Sequence, residues 1–472
     1  MRATRGLAMA VQAVERIKAK HPEIDVWMGH GKFGGHGDTA VAIAHARAGK
    51  RWAAAAFPGA TVGTMVLART TGSQTDLDIF RGTREFLGGY VVIPDPPWHD
   101  AVRVLRPHFD VYHDLQYVCG TYFSDPVKHA ALAIEAEQRL RPFSRFYSGF
   151  PLSNNELGSM WPVSQWELMS RSGLVDVTPA DLWVPVTEPT VAFDEWNTPT
   201  TGRSWRWAQQ MRGRLDKCVA IHAGAGGNGN LKVPGGGVFE AIAAAALGRG
   251  LTPVQVGTEN EPVVAGCVDA RGLALAETAW VVQGAMCAVC AEGFMAYVAR
   301  AVNTRALVFF GPTPTRMFGM FEELDAAGEV IFPGHVNHSC GACPACWWAT
   351  GGGWDSQCPK GHAKCLNHPS AGEAEDLMLR FLLALEAQPW PPVAVPAVVI
   401  EPVATQAAER ATAANVGDDT ATTGKGEPDD DDTGSAGGDG SWAAELQQSQ
   451  DGGEGGEGDP QPHARRDPLS YL

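Results

Sequence analysis

The stretch CVAIHAGAGGNGN, residues 218–230, decides the fold of this chain of 472 residues. An apolar run ends in His222 and is followed at once by a glycine-rich loop and then by an alanine-rich segment over 238–247. A short buried strand, a glycine loop and a helix make up the first unit of a Rossmann-like sheet. The stretch therefore predicts an α/β domain whose ligands bind at the carboxyl ends of its strands.

The same alternation continues along the second half of the chain. Apolar runs of strand length are separated by stretches with helical spacing. The pattern predicts strands at 252–256, 286–291 and 306–310, and helices at 275–284, 294–302 and 372–387.

A similar pattern lies near the N-terminus. The stretch IDVWMGHGKFGGHGD, residues 24–38, predicts a strand over 24–28 and a glycine loop, with an alanine-rich helix from Thr39 onward. An amphipathic helix over 5–21 precedes it, and strands at 90–93 and 109–115 follow. The two series, joined by a linker around 195–204, predict two facing Rossmann-like domains, residues 1–195 and 205–387, with a cleft between them.

Charge and composition set the tail apart from this body. Residues 388–472 carry 16 acidic and 4 basic residues, which leaves a net charge of −4 for the body out of a total of −16. The body has no basic excess of the kind that drives nonspecific nucleic-acid binding, so nucleic acid is disfavoured as a partner. The tail begins with a Pro/Ala linker and continues in Gly, Asp, Glu, Ser and Thr, a composition that predicts disorder.

No stretch approaches the roughly 20 uninterrupted apolar residues of a membrane span. The N-terminal segment carries charged residues where a signal peptide needs an apolar run, namely Glu15, Arg16, Lys18 and Lys20. These observations predict a cytoplasmic protein with reduced thiols, and the sequence leaves its oligomeric state open.

The ten cysteines are unevenly distributed. Cys119, Cys218, Cys267, Cys287 and Cys290 are scattered among apolar residues, as expected of core positions. A cysteine-rich segment over 338–368 instead predicts a small finger that binds one structural zinc or iron ion. Its expected ligands are Cys343 and Cys346, whose two-residue spacing suits one tetrahedral centre, with Cys358 and Cys365; alternatives are Cys340, His338, His362 and His368.

Five motifs in the second half make a family resemblance specific. They are IHAGAG at 221–226, KVP at 232–234, GTENE at 257–261, EGF at 292–294 and FGPT at 310–313. In this order they resemble the motifs of the heptosyltransferases of glycosyltransferase family nine, and Gly37-Asp38 resembles the family's early Gly-Asp. Val233 stands where the family usually has Trp, and Tyr297 where a His is common.

The resemblance implies a GT-B fold and a glycosyltransferase. Such an enzyme moves a heptose or related sugar from a nucleoside-diphosphate donor, ADP-linked in the family, to a hydroxyl of a saccharide or protein acceptor by an inverting mechanism. Within the family, the autotransporter heptosyltransferases carry a four-cysteine iron finger, which the spacing from Cys343 through Cys346 to Cys358 resembles in part.

The resemblance also implies roles for individual residues in donor binding. Lys232 would bind the donor phosphates, and Glu261, or else Glu259, would hold the ribose hydroxyls. Both also have simpler interpretations, a solvated loop lysine and a helix-capping acid. The remaining donor-site residues are the strand-end loop His222, Gly224 and Gly226, the helix start Glu292, Gly293 and Phe294, and the turn residues Gly311 and Thr313.

Asp38 is the candidate general base, because an inverting transfer needs one carboxylate beside the acceptor hydroxyl. Its alternative role is to cap the helix expected from Thr39. His30 and His36 flank the same predicted loop and are candidates for acceptor or phosphate contacts, although loop histidines are commonly solvated.

Three other functions compete with this one. A nucleotide-sugar epimerase uses the same two-domain fold and needs no acceptor. A glycosyltransferase acting on modified DNA is disfavoured by the near-neutral body. A non-catalytic scaffold is disfavoured because Asp38 and Lys232 are both present.

Overall fold

The fold is known from a computed structural model. It describes residues 2–32, 35–69, 74–93, 98–115, 118–143, 164–187, 211, 213–225, 232–313, 315–319, 323–324, 330–332, 335–339 and 364–387. All of them belong to one compact unit, Met1–Val393. The acidic tail, Gly226 and every cysteine of the predicted finger except Cys365 lie outside the described residues, as does the linker around 195–204.

The first half forms a five-stranded sheet of short, largely buried strands. Their bounds are β1 Val26–Lys32, β2 Val62–Arg69, β3 Gly89–Ile93, β4 Val111–Leu115 and β5 Cys119–Phe123. The order across the sheet is β3-β2-β1-β4-β5, in which the first four strands are parallel and β5 pairs antiparallel with β4. The order places β1 at the centre, so the loop that follows it opens at the middle of the carboxyl edge.

Helices connect and cover these strands. Their bounds are α1 Arg2–Lys20, α2 His36–Ala56, α3 Gln74–Phe80, α4 Trp98–Leu105, α5 Ala130–Leu140 and α6 Gln165–Ser172. Helix α2 buries an almost continuous alanine-rich face that includes Ala42 and Ile43. Small side chains allow this helix to lie close to the sheet, because alanine adds little bulk between backbone layers.

The second half forms a six-stranded parallel sheet in the order β13-β10-β9-β6-β7-β8, together with a separate antiparallel pair. The bounds are β6 Cys218–His222, β7 Thr252–Gln255, β8 Val268–Asp269, β9 Cys287–Ala291, β10 Ala306–Phe310, β11 Glu323–Leu324, β12 Val330–Phe332 and β13 His335–Ser339. When the six strands of the parallel sheet are numbered 1 to 6 in chain order, starting with β6, their order from β8 to β13 is 3-2-1-4-5-6. This is the strand order of the Rossmann fold.

The helices of this half are α7 Val238–Gly248, α8 Leu275–Gly284, α9 Phe294–Ala301, α10 Thr315–Phe318 and α11 Ala371–Ala387. Short 3₁₀ turns complete the described elements at Arg81–Thr83, Arg106–His108, Arg141–Phe143, Pro179–Asp181, Leu215–Lys217 and Lys364–Asn367. The prediction of two Rossmann-like α/β sheets is thus confirmed. None of the described helices has the length and apolar character needed to cross a membrane.

The two halves share one apolar core. It includes Ile43 and Ile79 of the first half and Leu275 and Val298 of the second. Polar contacts accompany it: the backbone N–H of Leu275 donates to the buried carboxylate of Asp78 at 3.2 Å. These contacts join α2 to α9 and α3 to α8, and the rings of His36 and Phe294, the first residues of α2 and α9, lie 5.7 Å apart.

Two predictions about the first half were wrong in detail. Strand β1 does not end at residue 28 but continues through Lys32, and α2 begins at His36 rather than at Thr39. As a result His30 is not a loop residue: it lies fully buried in the central strand. The reason is tertiary, since the glycines of this segment allow close packing where sequence alone indicates a loop. An added Cβ at Gly29 would lie 2.8 Å from the Phe109 ring.

Candidate active site

Asp38 lies in the first turn of α2, immediately after the carboxyl end of β1. Its Oδ2 accepts a hydrogen bond from the backbone N–H of Gly35 at 2.9 Å, and its Oδ1 lies 3.1 Å from Nζ of Lys32. Lys32 is buried, whereas the side chain of Asp38 is 43% exposed. Asp38 therefore contributes to the helix start, three residues after the N-cap, and still presents its carboxylate to solvent, as a proton acceptor must.

The second half contributes a cluster centred on Glu292, the residue that follows β9. Its Oε2 lies 2.7 Å from Nζ of Lys232 and accepts a hydrogen bond from the Thr313 hydroxyl at 3.1 Å. Both charged side chains are largely buried, Lys232 being 16% exposed and Glu292 8%. Lys232 is therefore not a solvated loop lysine, because a buried carboxylate fixes it at the carboxyl edge of the sheet.

This finding changes what a substitution of Lys232 would do. From sequence alone, its removal is expected to leave no buried partner unpaired. The structure shows instead that Glu292 would lose the cation that compensates its burial, although Thr313 would still donate to it. Removing one member of a buried ion pair is destabilising because the remaining charged group has lost its hydration and no longer has an opposite charge beside it.

Helix α9 begins next to this cluster. Gly293 is its N-cap residue with φ 158°, a backbone conformation that favours glycine, and an added Cβ there would meet none of the described residues within 4 Å. The first N–H groups of a helix have no partner within the helix and can bind an anion. Phe294 packs its ring 5.7 Å from that of His36 in the first half. Gly311 follows the neighbouring strand β10, so the predicted turn also lies at this edge.

The third group lies at the ends of β6 and β7. Nε2 of His222 is 3.4 Å from Oε1 of Glu261, which also accepts hydrogen bonds from the N–H and hydroxyl of Thr258 at 3.1 and 3.2 Å. Glycine is needed on both sides of this carboxylate, because a Cβ at Gly224 or Gly257 would lie 2.2 Å from its atoms. The two strand ends thus form a close-fitting pocket for the Glu261 side chain.

Within the part of the chain that the structure describes, two atoms of this pair are buried and have no hydrogen-bond partner, namely Nδ1 of His222 and Oε2 of Glu261. Burial by itself would raise the pKa of Glu261, but the hydrogen bond and charge of His222, together with the bonds from Thr258, hold that pKa below its ordinary value. Glu261 is thus a carboxylate at neutral pH. A buried carboxylate oxygen without a partner is an acceptor that a hydroxyl of a bound ligand can satisfy.

Tyr297 links the two halves of the site. Its hydroxyl accepts a hydrogen bond of 2.7 Å from the Gln165 side chain, and its ring lies 3.3 Å from the position of a Cβ on Gly37. Burial, followed by the negative charges of Glu292 and Asp38, raises the pKa of this phenol well above its ordinary value. The charges of Asp38 from the first half and Glu292 from the second thus both act on Tyr297.

The structure therefore brings most of the predicted residues to one edge. His222, Glu261, Lys232, Glu292, Gly293 and Thr313 follow strands of the second sheet, and Asp38 approaches them from the first. Sequence reasoning did not identify Lys32, Thr258 or Gln165 as parts of the site. For Lys32 a signal was available, a cation at the end of a strand before a glycine loop; the other two are recognisable only from the contacts they make.

No protein-family model matches the chain, and no curated protein matches it either. Several solved structures, however, are similar to the chain. The chain is similar to the bacterial iron-containing dodecameric glycosyltransferase TibC from enterotoxigenic E. coli H10407, at 13% identity and a TM-score of 0.44 over 78% of this chain and 81% of that one.

Two further solved structures come from smaller proteins. The chain is similar to E. coli ADP-heptose LPS heptosyltransferase II, at 14% identity and a TM-score of 0.39 over 77% of this chain and all of that one. It is also similar to a family 9 glycosyltransferase from Veillonella parvula DSM 2008, at 13% identity and a TM-score of 0.41 over 76% and 98% of the two chains. The family that the sequence motifs resemble is thus also found among the solved structures.

Proposed function

We propose that this chain is a glycosyltransferase that moves a heptose or related sugar from a nucleoside-diphosphate donor to a hydroxyl acceptor with inversion. The main support is that the Asp38 carboxylate of the first half and the Lys232–Glu292 pair of the second both lie near Tyr297. Asp38 is proposed to lie on one side of the reacting centre, with the Lys232 cation and the start of α9 on the other. An inverting transfer needs both.

The proposed reaction assigns each group one task. The acceptor hydroxyl attacks the anomeric carbon of the donor sugar while Asp38 takes its proton. The bond from that carbon to the diphosphate breaks on the opposite face. Lys232 and the N–H groups at the start of α9 stabilise the negative charge that develops on the departing diphosphate.

Glu261 and His222 are proposed to bind the donor nucleoside. The unpartnered Oε2 of Glu261 accepts a ribose hydroxyl, and Nδ1 of His222 takes a second polar atom of the ligand. An ADP-linked sugar is the donor to test first, since TibC has been crystallised with ADP-D-β-D-heptose. The acceptor is proposed to be a saccharide or protein hydroxyl.

The test compares Asp38→Asn with a matched control, Glu373→Gln. Both carboxylates lie in the first turn of a helix and accept a backbone N–H from the helix start, for Glu373 that of Ser370 at 2.7 Å. With ADP-heptose and panels of saccharide and peptide acceptors, release of ADP should fall by roughly 10²-fold or more in Asp38→Asn and not in the control. Thermal shifts with ADP should be unchanged in both variants.

Two results would contradict the proposal. If Asp38→Asn turns over ADP-heptose as fast as the unaltered chain, Asp38 is not the base. If a nucleotide sugar releases free nucleotide and free sugar without any acceptor and at full rate, the epimerase alternative is favoured instead.

A further inference from the structure

A second polar cluster lies in the first half of the chain, inside the core and apart from the candidate active site. It consists of His30 on β1, His45 on α2, His113 on β4 and Cys119 at the start of β5, and all four side chains are fully buried. His30 and His113 are register partners on adjacent strands, with their rings stacked at 4.8 Å. Helix α2 lies over this face of the sheet and brings His45 to both.

Three of these residues present their ligand atoms to one point. Sγ of Cys119 lies 3.5 Å from Nε2 of His45 and 3.9 Å from Nδ1 of His113, and one ligand atom from each of the three residues lies within 4.8 Å of the other two. A tetrahedral zinc ion with bonds of about 2.3 Å to sulfur and about 2.0 Å to nitrogen separates its sulfur and nitrogen ligands by about 3.5 Å. The observed separations are close to this value.

Hydrogen bonds within the described part of the protein do not use every polar atom of this cluster. Among the described residues, Nε2 of His30 and Nε2 of His113 are buried and have no hydrogen-bond partner, and the Nδ1 of His113 that lies near Cys119 is 3.1 Å from the hydroxyl of Thr121. Polar side chains fully buried and only partly bonded are unfavourable in a core that apolar residues could fill, unless they bind something.

The surroundings match the needs of a bound dication. Nδ1 of His30 lies 3.0 Å from Nδ1 of His45, so the ring nitrogen of His45 that faces away from Cys119 has a partner, as is usual for metal-bound histidines.

We propose that His45, His113 and Cys119 hold a structural Zn²⁺ ion and that His30 is a positioning residue for His45. Binding breaks the S–H bond of Cys119, and one proton leaves to solvent for each ion bound. The ion ties α2 to the β4–β5 hairpin. His45 lies about two helical turns from Asp38 on α2, so the ion would also fix the helix that presents the proposed base. Its ligands are different residues from those predicted for the finger over 338–368.

The test is metal stoichiometry in the full chain, purified without a metal-binding tag. Cys119→Ala should contain one equivalent of zinc fewer than the unaltered chain. The matched control is Cys290→Ala, a buried cysteine on a central strand of the other sheet that the metal-binding cluster does not include, and it should lose none. Because the readout is a difference, metal bound by the predicted finger does not affect it. Equal zinc content in Cys119→Ala and the unaltered chain would overturn the proposal.

A second measurement needs no variant and decides the matter if Cys119→Ala does not fold. Crystals of the full chain should give an anomalous difference peak at the zinc edge between Sγ of Cys119, Nε2 of His45 and Nδ1 of His113. Diffraction data that show no peak there would overturn the proposal.

Discussion

The ion pair between Lys232 and Glu292 allows its structural and binding roles to be separated. Its charged atoms are 2.7 Å apart, and the two side chains are 16% and 8% exposed. Breaking a buried pair costs about 3–5 kcal/mol, and the remaining exposure reduces this to about 2–4 kcal/mol for Lys232→Met. Arg249→Met is the control, since its pair with Glu386 has the same 2.7 Å separation but is 38% and 46% exposed. It should cost about 0.2–1 kcal/mol.

The double variant Lys232→Met/Glu292→Gln completes the experiment. Neutralising the carboxylate removes the uncompensated buried charge, so urea denaturation followed by tryptophan fluorescence should show recovery of about 1–2 kcal/mol over Lys232→Met. Affinity for ADP should not recover, because the cation proposed to bind the diphosphate is still missing. The reasoning is refuted if Lys232→Met costs no more than Arg249→Met, or if the double variant binds ADP like the unaltered chain.

Three further predictions concern other parts of the chain. Gly224→Ala should displace the Glu261 carboxylate and abolish the thermal shift with ADP. The control Gly248→Ala, where an added Cβ meets none of the described residues within 4 Å, should bind ADP normally. Equal thermal shifts in the two variants would argue against the nucleoside site. Because the folded-state pKa of Glu261 is depressed, its contribution to stability is present above the unfolded-state pKa of about 4.3 and is lost as pH falls through the lower folded value. Glu261→Gln should accordingly lose less stability than the unaltered chain on acidification below that pH, measured by melting temperature. Cys343→Ser should lower the metal content by about one equivalent and lower the melting temperature, as expected if the predicted finger binds one ion, and unchanged metal content would count against the finger.

The sequence predicted the second sheet well because each of its elements has a clear local signal. Strand β10 occupies 306–310 as predicted, and α8 occupies 275–284, since both are apolar segments bounded by polar or glycine residues. The strand order that brings His222, Glu261 and Glu292 to one edge follows from the Rossmann connection rules once the strands are known.

The interior of the first half was harder to predict. The segment containing His30 resembles a loop because it is rich in glycine, and only its pairing with β2 and β4 makes it a strand. Cys119 was expected to be an ordinary core residue. Its neighbours His45 and His113 come from separate elements, and no spacing in the chain indicates that they meet. The pairing of Lys232 with Glu292 was hidden for the same reason, because Lys232 lies in the connection between β6 and α7 and Glu292 follows β9.

The tyrosine at position 297 affects how the candidate active site responds to pH. A histidine, common at this position in the family that the motifs resemble, has an ordinary pKa near 6.5 and changes charge within the physiological range. Tyr297 stays uncharged across that range because burial and the charges of Glu292 and Asp38 all oppose its ionisation. Tyr297 therefore contributes no change of charge between the two carboxylates where a histidine would, and this position adds no titration to the dependence of turnover on pH between about 5 and 8.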